Sequence, residues 1–221
     1  MPERKNIEPL ILMKSSRFEV GYFQNSSQPS VLIAVIVTAS KVPASALDSF
    51  DDLSKVIVSK AMGRTSQSLP YGNPQGHPVL SRVLGLTLNI LASMQMPIMS
   101  GARVNKLLSR DQNYNFLIAL PAISERIPAP QNVFKLVSEI MNVLVRNQPV
   151  DRDAVLRAIQ KLILKFKRVA PAGANTLRFL EAAHEMSIPW RHVAMNVYQF
   201  GWGSKSCWLD STFTEKTSAI S

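Results

Sequence analysis

The sequence predicts an α+β protein in which a mixed small sheet is packed by about five helices, the last of which opens a C-terminal segment of helix and β-hairpin. Three observations lead to this prediction. Long stretches repeat apolar residues every three or four positions, short runs are rich in β-branched and aromatic residues, and Pro and Gly separate the two kinds of segment. With 221 residues, 46% of them hydrophobic, the chain is long enough to bury a core.

The first elements are predicted to form a hairpin. Residues 1–16 are expected to be a flexible lead-in, and because Glu8 and Pro9 interrupt their apolar part, a secretory signal peptide is not expected. Two strands are predicted at Phe18–Gln24 and Val31–Thr38. The residues between these strands are mostly turn formers, which favours a hairpin connection.

A helix and a long loop are predicted next. In Ala44–Met62, residues such as Phe50, Leu53 and Ile57 fall on one helical face. Gly63–Pro78 contains six Gly and Pro residues, so it is predicted to be an irregular loop, long enough for a role in binding.

The middle of the chain alternates helical and extended patterns. Val79–Met94 is apolar on nearly all sides, which is typical of a helix buried in the centre of a domain. Strands are predicted at Arg103–Leu108 and Tyr114–Leu120, and a helix at Gln131–Arg146. Another helix, Asp151–Arg168, begins at a good N-cap residue.

The outer face of that last helix carries a basic row at helical spacing. Because Asp151–Arg168 is the fourth predicted helix, α4, we define the α4 strip as Arg157, Lys161 and Lys165; Arg168 continues the row. The strip is predicted to be either a solvated face or a docking surface for an acidic substrate.

A break at residues 171–173 is predicted to divide the chain into an accessory domain, 17–170, and a C-terminal segment, 171–221. In that segment we predict a helix at Asn175–Met186 and a strand at His192–Gln199. A turn at Gly201–Ser204 then leads to a returning strand at Cys207–Phe213.

The charge balance predicts a basic surface. The net charge is +10, and residues 126–208 hold 12 basic and 5 acidic residues, which gives them +7. Such a surface attracts anionic partners. The aromatic residues do not interleave with the α4 strip, which argues against nucleic acid as the partner.

The sequence excludes several function classes. It contains no glycine-rich phosphate-binding motif and no nucleophile elbow, and its three His and one Cys lack metal-ligand spacing, so we expect no metal site. No apolar run reaches the roughly 18 residues of a membrane span. We therefore expect a cytoplasmic protein without a membrane partner.

The last fifty residues carry a continuous pattern. A helix with Asn175, Thr176 and Leu177 is followed by Ile188-Pro189, and then by Gln199-Phe-Gly-Trp-Gly203, Lys205 and Thr212-Phe-Thr-Glu-Lys-Thr-Ser-Ala-Ile220. This pattern resembles the segment ahead of the ATP-grasp core in cyanophycin synthetase-like ligases. Cys207 stands where that family usually has a basic residue. The order of the earlier elements is similar to the family's N-terminal domain.

The resemblance implies a function for the chain. Members of the family join a carboxylate to an amine through an acyl-phosphate made from ATP. Their nucleotide- and magnesium-binding residues lie downstream of the segment that ends at Ile220. We therefore expect ATP and Mg to be bound by catalytic lobes in cis or in trans, and this chain alone to be non-catalytic.

The resemblance also implies a substrate site in this chain. It would hold the acceptor amino acid or peptide through Gln199 and Lys205, with Arg178 beside the hairpin. The α4 strip, Arg157, Lys161 and Lys165, would anchor an acidic substrate. Gly201 and Gly203 are expected to serve the turn, and a purely structural hairpin is the alternative interpretation.

Two other functions stay open at this stage. The chain could be a stand-alone, non-enzymatic module or regulatory subunit that pairs with a separate ligase. A fragment should expose Trp208, Leu209 and Phe213, which a stand-alone protein should cover. A nucleic-acid-binding domain would show affinity that falls steeply with salt. The sequence does not decide whether the chain forms a homo-oligomer.

Overall fold

The computed structural model of the protein describes residues 9–20, 28–38, 42–62, 77–107, 113–171, 174–194, 196–210 and 213–214. Within these ranges the chain forms five α-helices and eight β-strands, which confirms the prediction of a mixed α+β protein. In chain order they are β1 (Ile11–Glu19), β2 (Ser30–Val37), α1 (Ala44–Met62), α2 (Pro78–Ser93), β3 (Arg103–Leu107), β4 (Tyr114–Pro121), α3 (Ala129–Val145), α4 (Arg152–Lys167), α5 (Ala174–Glu185), β5 (Trp190–Ala194), β6 (Val197–Phe200), β7 (Cys207–Asp210) and β8 (Phe213–Thr214).

The first four strands form one sheet, the N-terminal sheet, in the order β1-β2-β4-β3. All of its strand pairs are antiparallel. The sequence had predicted a mixed sheet, and this part of the prediction is wrong. The pairing of β2 with β4 places Val31 opposite Leu120 and Ile33 opposite Ile118. These buried pairs lie on the face that contributes to the apolar core.

Helices α1 to α4 pack against one another, and α3 lies against β1 and β2. As predicted, α2 is the central helix, with buried side chains all round it, because almost no polar residue interrupts its sequence. On α1 the predicted face is also found: Phe50, Leu53 and Ile57 are buried. Arg82 of α2 joins the two helices through a 2.9 Å contact between its Nε and the Asp51 carboxylate.

Three helices end in the same way without glycine. Gln95, Asn147 and Ser187 follow α2, α3 and α5, and all three have positive φ, at 61°, 52° and 56°. After α3, the backbone N–H of Gln148 donates to the Val143 carbonyl, and that of Asn147 donates to Leu144. These are the bonds of a Schellman motif, which satisfies the last helical carbonyls and turns the chain sharply.

The last four strands form a second sheet, the C-terminal sheet, in the order β5-β6-β7-β8. Each strand pairs antiparallel with the next one along the chain. The buried apolar residues of this sheet and of α5, such as Trp190 and Leu180, belong to the same continuous cluster as the core around α2.

Three strand predictions are wrong. The single strand predicted at Cys207–Phe213 is divided between β7 and β8, which pair antiparallel with each other. The first strand, β1, begins at Ile11 and not at Phe18, so residues 11–16 are part of a strand that pairs with β2 and not a loose lead-in, while residues 21–24 of the predicted strand lie outside the described residues. The strand predicted at His192–Gln199 is two strands, β5 and β6, which pair with each other. No Gly or Pro marks the turn between them, so the sequence carried no signal for the division.

Two further points concern the limits of the described chain. Most of the loop predicted at Gly63–Pro78 lies outside the described residues, and so does the end of the predicted pattern from residue 215. Among the helices that the structure describes, none has both the length and the apolarity needed to cross a bilayer.

Candidate functional site

One row of side chains crosses the C-terminal sheet on a single face. Arg191 of β5 pairs with Gln199 of β6, and Gln199 pairs with Trp208 of β7. Because directly paired residues of antiparallel strands point to the same side, these three side chains share one face. We call this face, together with Trp202, the Arg191–Trp208 face.

A direct hydrogen bond holds two members of the row together. Arg191 Nε donates to Gln199 Oε1 over 2.8 Å. Gln199 is only 7% exposed, whereas Arg191 is exposed. The bond fixes the orientation of the Gln199 amide, and Gln199 Nε2 makes no hydrogen bond within the described part of the chain. Nε2 is therefore the group of Gln199 that is left to donate to a ligand.

Two indoles flank the pair. The Arg191 guanidinium lies 5.7 Å from the centroid of the Trp202 ring, which is within the range of a cation–π contact. Trp202 and Trp208 are 44% and 46% exposed. The face therefore offers a cation and two flat apolar surfaces to solvent, next to the largely buried amide of Gln199.

The opposite face of the sheet is the buried one. Trp190, Tyr198 and Leu209 are at most 3% exposed, and the Trp190 and Tyr198 rings lie 6.0 Å apart, edge to face. Burial raises the pKa of Tyr198 well above its usual value, so this hydroxyl stays neutral at physiological pH.

The turn between β6 and β7 is built on its two glycines. Gly201 has φ +72° and Gly203 has φ +61°, both in the left-handed region that side chains rarely adopt. The Gly201 N–H donates to the Pro189 carbonyl over 2.7 Å, which ties the turn to the start of β5. A 3₁₀ turn then spans Gly203–Lys205 and leads into β7.

The structure brings some of the predicted site residues together. Gln199 and Lys205 lie on one hairpin, with Gln199 in the sheet and Lys205 exposed in the turn. Arg178 lies on α5 with its side chain exposed. Within the described ranges, no hydrogen bond, ion pair or ring contact joins Arg178 to the hairpin.

The α4 strip lies on a different element. Its three residues, Arg157, Lys161 and Lys165, are all exposed, while Ile159 and Phe166 on the other side of α4 are buried. At four-residue spacing the three cations stand about 6 Å apart along the helix axis. In the described part of the chain, no polar or ring contact links the strip to the hairpin.

A further titratable group lies on α5. Burial lowers the pKa of His184, and the positive charge of Arg103 on β3 acts in the same direction, while Glu185 opposes them. The interaction shows that α5 lies near β3, an edge of the N-terminal sheet. His184 is therefore expected to be neutral at pH 7.

Three members of the Arg191–Trp208 face were not predicted as site residues: Arg191, Trp202 and Trp208. The position of Trp202 between Gly201 and Gly203 was a signal for one of them. The role of Arg191 depends on its pairing with Gln199 eight positions later, in a strand whose division the sequence did not reveal.

The apolar edge that a fragment was expected to expose, Trp208, Leu209 and Phe213, is found only in part. Trp208 is half exposed, but Leu209 is buried at 3%, and the Phe213 side chain lies outside the described residues. Leu209 is on the inner face because β7 alternates, and the prediction treated the two neighbours as one edge.

Comparisons with known proteins add no family. No protein-family model matches the chain, and no curated protein is significantly similar to it. Within the described ranges, no group of three or more His, Cys, Asp or Glu residues is placed to hold a metal ion.

Proposed function

We propose that this chain is the N-terminal part of an ATP-dependent, peptide-bond-forming carboxylate–amine ligase of the ATP-grasp type. In this proposal it supports the catalytic lobes and holds the acceptor amino acid or peptide, and it has no ATP site of its own. ATP and Mg would be bound by the lobes downstream, which would supply the phosphoryl chemistry. No residue of this chain is assigned to either.

The observation that carries the proposal is the hairpin from β6 to β7. The residues of the family-like pattern, Gln199, Gly201, Gly203 and Lys205, fall on one hairpin, whose turn depends on the positive φ of its two glycines. The same turn adjoins the Arg191–Trp208 face, where Arg191 orients the Gln199 amide. A conformationally fixed turn beside fixed polar donors is the arrangement that positions a substrate with little loss of entropy.

The chemistry of the face suits an acceptor with a carboxylate or amide group. Gln199 Nε2 is a neutral donor, and Arg191 and Lys205 supply positive charge. Both cations bind carboxylates, Arg through its planar fork and Lys as a point charge. The exposed indoles of Trp202 and Trp208 add apolar surface for the rest of the acceptor.

The test uses the complete protein from its native host. We expect a mass well above the 24.5 kDa of this chain, and ADP release that depends on an added amino acid or short peptide. Lys205→Ala should raise the KM for the acceptor about tenfold or more, because hydrogen bonds to charged groups contribute about 1.5–3 kcal/mol. The KM for ATP should not change, because the lysine does not contact the nucleotide.

The matched control is Lys135→Ala, which removes an exposed lysine from α3. It should leave the acceptor KM unchanged. Equal kinetics for the two variants would reduce the hairpin to a structural role. The proposal would be rejected in favour of a non-enzymatic module if the native mass were near 24.5 kDa and if the protein, purified with any bound partner, had no ligase activity.

A further inference from the structure

A cleft of about 530 Å³ lies between the start of α1 and the connection from α3 to α4. None of its lining residues belongs to the β6–β7 hairpin. Its volume falls within the usual range of small-molecule sites, about 300–1,000 Å³. Its polar lining residues are Ser45, Ser49, Asn147, Gln148 and Arg152, and Leu53, Leu144 and Val150 add aliphatic surface.

The backbone explains why a cleft forms at this point. The Schellman motif at Asn147 ends α3 abruptly, and Asp151 starts α4 only four residues later by accepting a hydrogen bond from the Ala154 N–H. Helix α1 packs against both α3 and α4, and the cleft lies between the start of α1 and the short connection that joins those two helices. Three helix ends therefore surround a space that no side chain of the described lining fills.

One wall of the cleft is polar and has unused hydrogen-bonding groups. Ser45 and Ser49 are one turn apart on α1, so their side chains share a face. Both residues are exposed, and neither hydroxyl has a hydrogen-bond partner in the part of the chain that the structure describes. Each can donate to a ligand oxygen.

The charge of the cleft is positive. Arg152 is the one ionisable side chain among the described lining residues, and within the described ranges it forms no ion pair. The neighbouring carboxylate of Asp151 is engaged by the Ala154 N–H and does not line the cleft. Arginine matches a carboxylate with two parallel N–H donors.

Three aliphatic side chains also line the cleft. Leu53 lies one turn after Ser49 on the same face of α1 and is 3% exposed, and Leu144 and Val150, on the side of the connection, are half-buried. No aromatic residue is among the described lining residues, and so the cleft offers no stacking surface for a nucleobase.

We propose that this cleft is a second ligand site, which binds a small aliphatic carboxylate. The carboxylate pairs with Arg152 and accepts from the hydroxyls of Ser45 and Ser49. The aliphatic part packs on Leu53, Leu144 and Val150, where it leaves water. The inference does not depend on the proposed ligase function, because it rests on a separate group of residues.

The experiment is an NMR titration of the ¹⁵N-labelled 221-residue chain with 4-methylpentanoate, compared with its neutral analogue 4-methylpentanamide. The expected result is saturable shifts in residues 43–53 and 144–152 with the carboxylate, and binding of the amide that is at least about tenfold weaker. Arg152→Gln should weaken binding of the carboxylate about tenfold or more and leave binding of the amide unchanged.

Two further variants keep the result decisive. Lys167→Gln removes an exposed cation from the same helix, outside the cleft, and should leave the carboxylate Kd unchanged. Ser49→Phe fills the cleft and should abolish binding of both probes while the remaining spectrum is preserved. Equal binding of the two probes, an unchanged Kd in Arg152→Gln, or shifts confined to other regions would overturn the proposal.

Discussion

Two separate features of the backbone disfavour any side chain at Gly201, its positive φ and its closeness to another backbone atom. Its φ is +72°, and a Cβ there would stand 3.3 Å from the Lys205 carbonyl oxygen, a backbone atom that cannot easily move. Gly203 has a similar φ, +61°, but a Cβ at that position would meet no atom within 4 Å. A side chain at Gly203 would meet conformational strain alone, whereas a side chain at Gly201 would meet both strain and steric crowding.

We expect Gly201→Ala to lower the free energy of unfolding by about 2 kcal/mol and Gly203→Ala by about 1 kcal/mol, since a left-handed conformation costs an L-residue about 1–2 kcal/mol. Urea unfolding followed by tryptophan fluorescence measures the difference directly. All three tryptophans, Trp190, Trp202 and Trp208, lie within the C-terminal sheet or its turn. A Gly203→Ala loss as large as that of Gly201→Ala would contradict the crowding argument.

The residues of the site were only partly predictable. Gln199 and Lys205 were found because they belong to a contiguous pattern around two glycines. Arg191 was missed because its importance comes from a hydrogen bond across two strands, and a cross-strand partner is a property of register that the local sequence does not display. Whether these residues bind substrate stays a prediction.

At the scale of single elements, α4 depends on its N-cap residue, Asp151. The Asp151 side chain accepts from the Ala154 N–H over 2.9 Å and so satisfies one of the free donors at the helix start. The same residue ends the connection that forms one wall of the cleft. The cap therefore contributes both to the stability of α4 and to the shape of that wall.

Asp151→Ala should lower the free energy of unfolding by about 1 kcal/mol, whereas Asp151→Asn should retain most of it, because an amide oxygen also caps. Asp153→Ala is the matched control, since Asp153 lies in the first turn of α4 but is not its N-cap residue. Thermal unfolding monitored by circular dichroism provides the comparison. If Asp153→Ala were as costly as Asp151→Ala, the helix dipole and not the cap would be the main contribution.

Helices were predicted more closely than strands, for a physical reason. The observed bounds of α1, Ala44–Met62, equal the predicted ones, because its periodicity and its flanking breakers are both local. By contrast, β1 has four exposed residues in a row, from Lys14 to Arg17, and resembles a polar loop in isolation. It is a strand because Val31–Val37 provides a partner, and that pairing is not written in residues 11–16.

For the whole molecule, the question is whether the predicted boundary at residue 171 separates two independent folding units. The buried apolar residues of both sheets form one continuous cluster, and Leu180 of α5, which is fully buried, belongs to it. His184 on α5 also interacts with Arg103 on β3. These observations favour one cooperative unit.

We therefore expect tryptophan fluorescence, which reports the C-terminal sheet, and far-ultraviolet circular dichroism, which mainly reports the helices, to give the same urea midpoint. Leu180→Ala should lower the free energy of unfolding by about 2–5 kcal/mol and move both midpoints together. A fluorescence transition at lower urea, or a shift of that transition alone in Leu180→Ala, would establish two independent units with a boundary near residue 171.

The pairing order of the two sheets has a consequence for how the protein is made. In the C-terminal sheet every strand pairs with its neighbour in sequence, so each hairpin can close as soon as it has been synthesised. In the N-terminal sheet β2 pairs with β4, and α1, α2 and β3 lie between them in the chain. During synthesis, the apolar strand Ser30–Val37 therefore lacks its β4 partner until residue 121 has left the ribosome. During that interval its open edge is a target for chaperones and for aggregation.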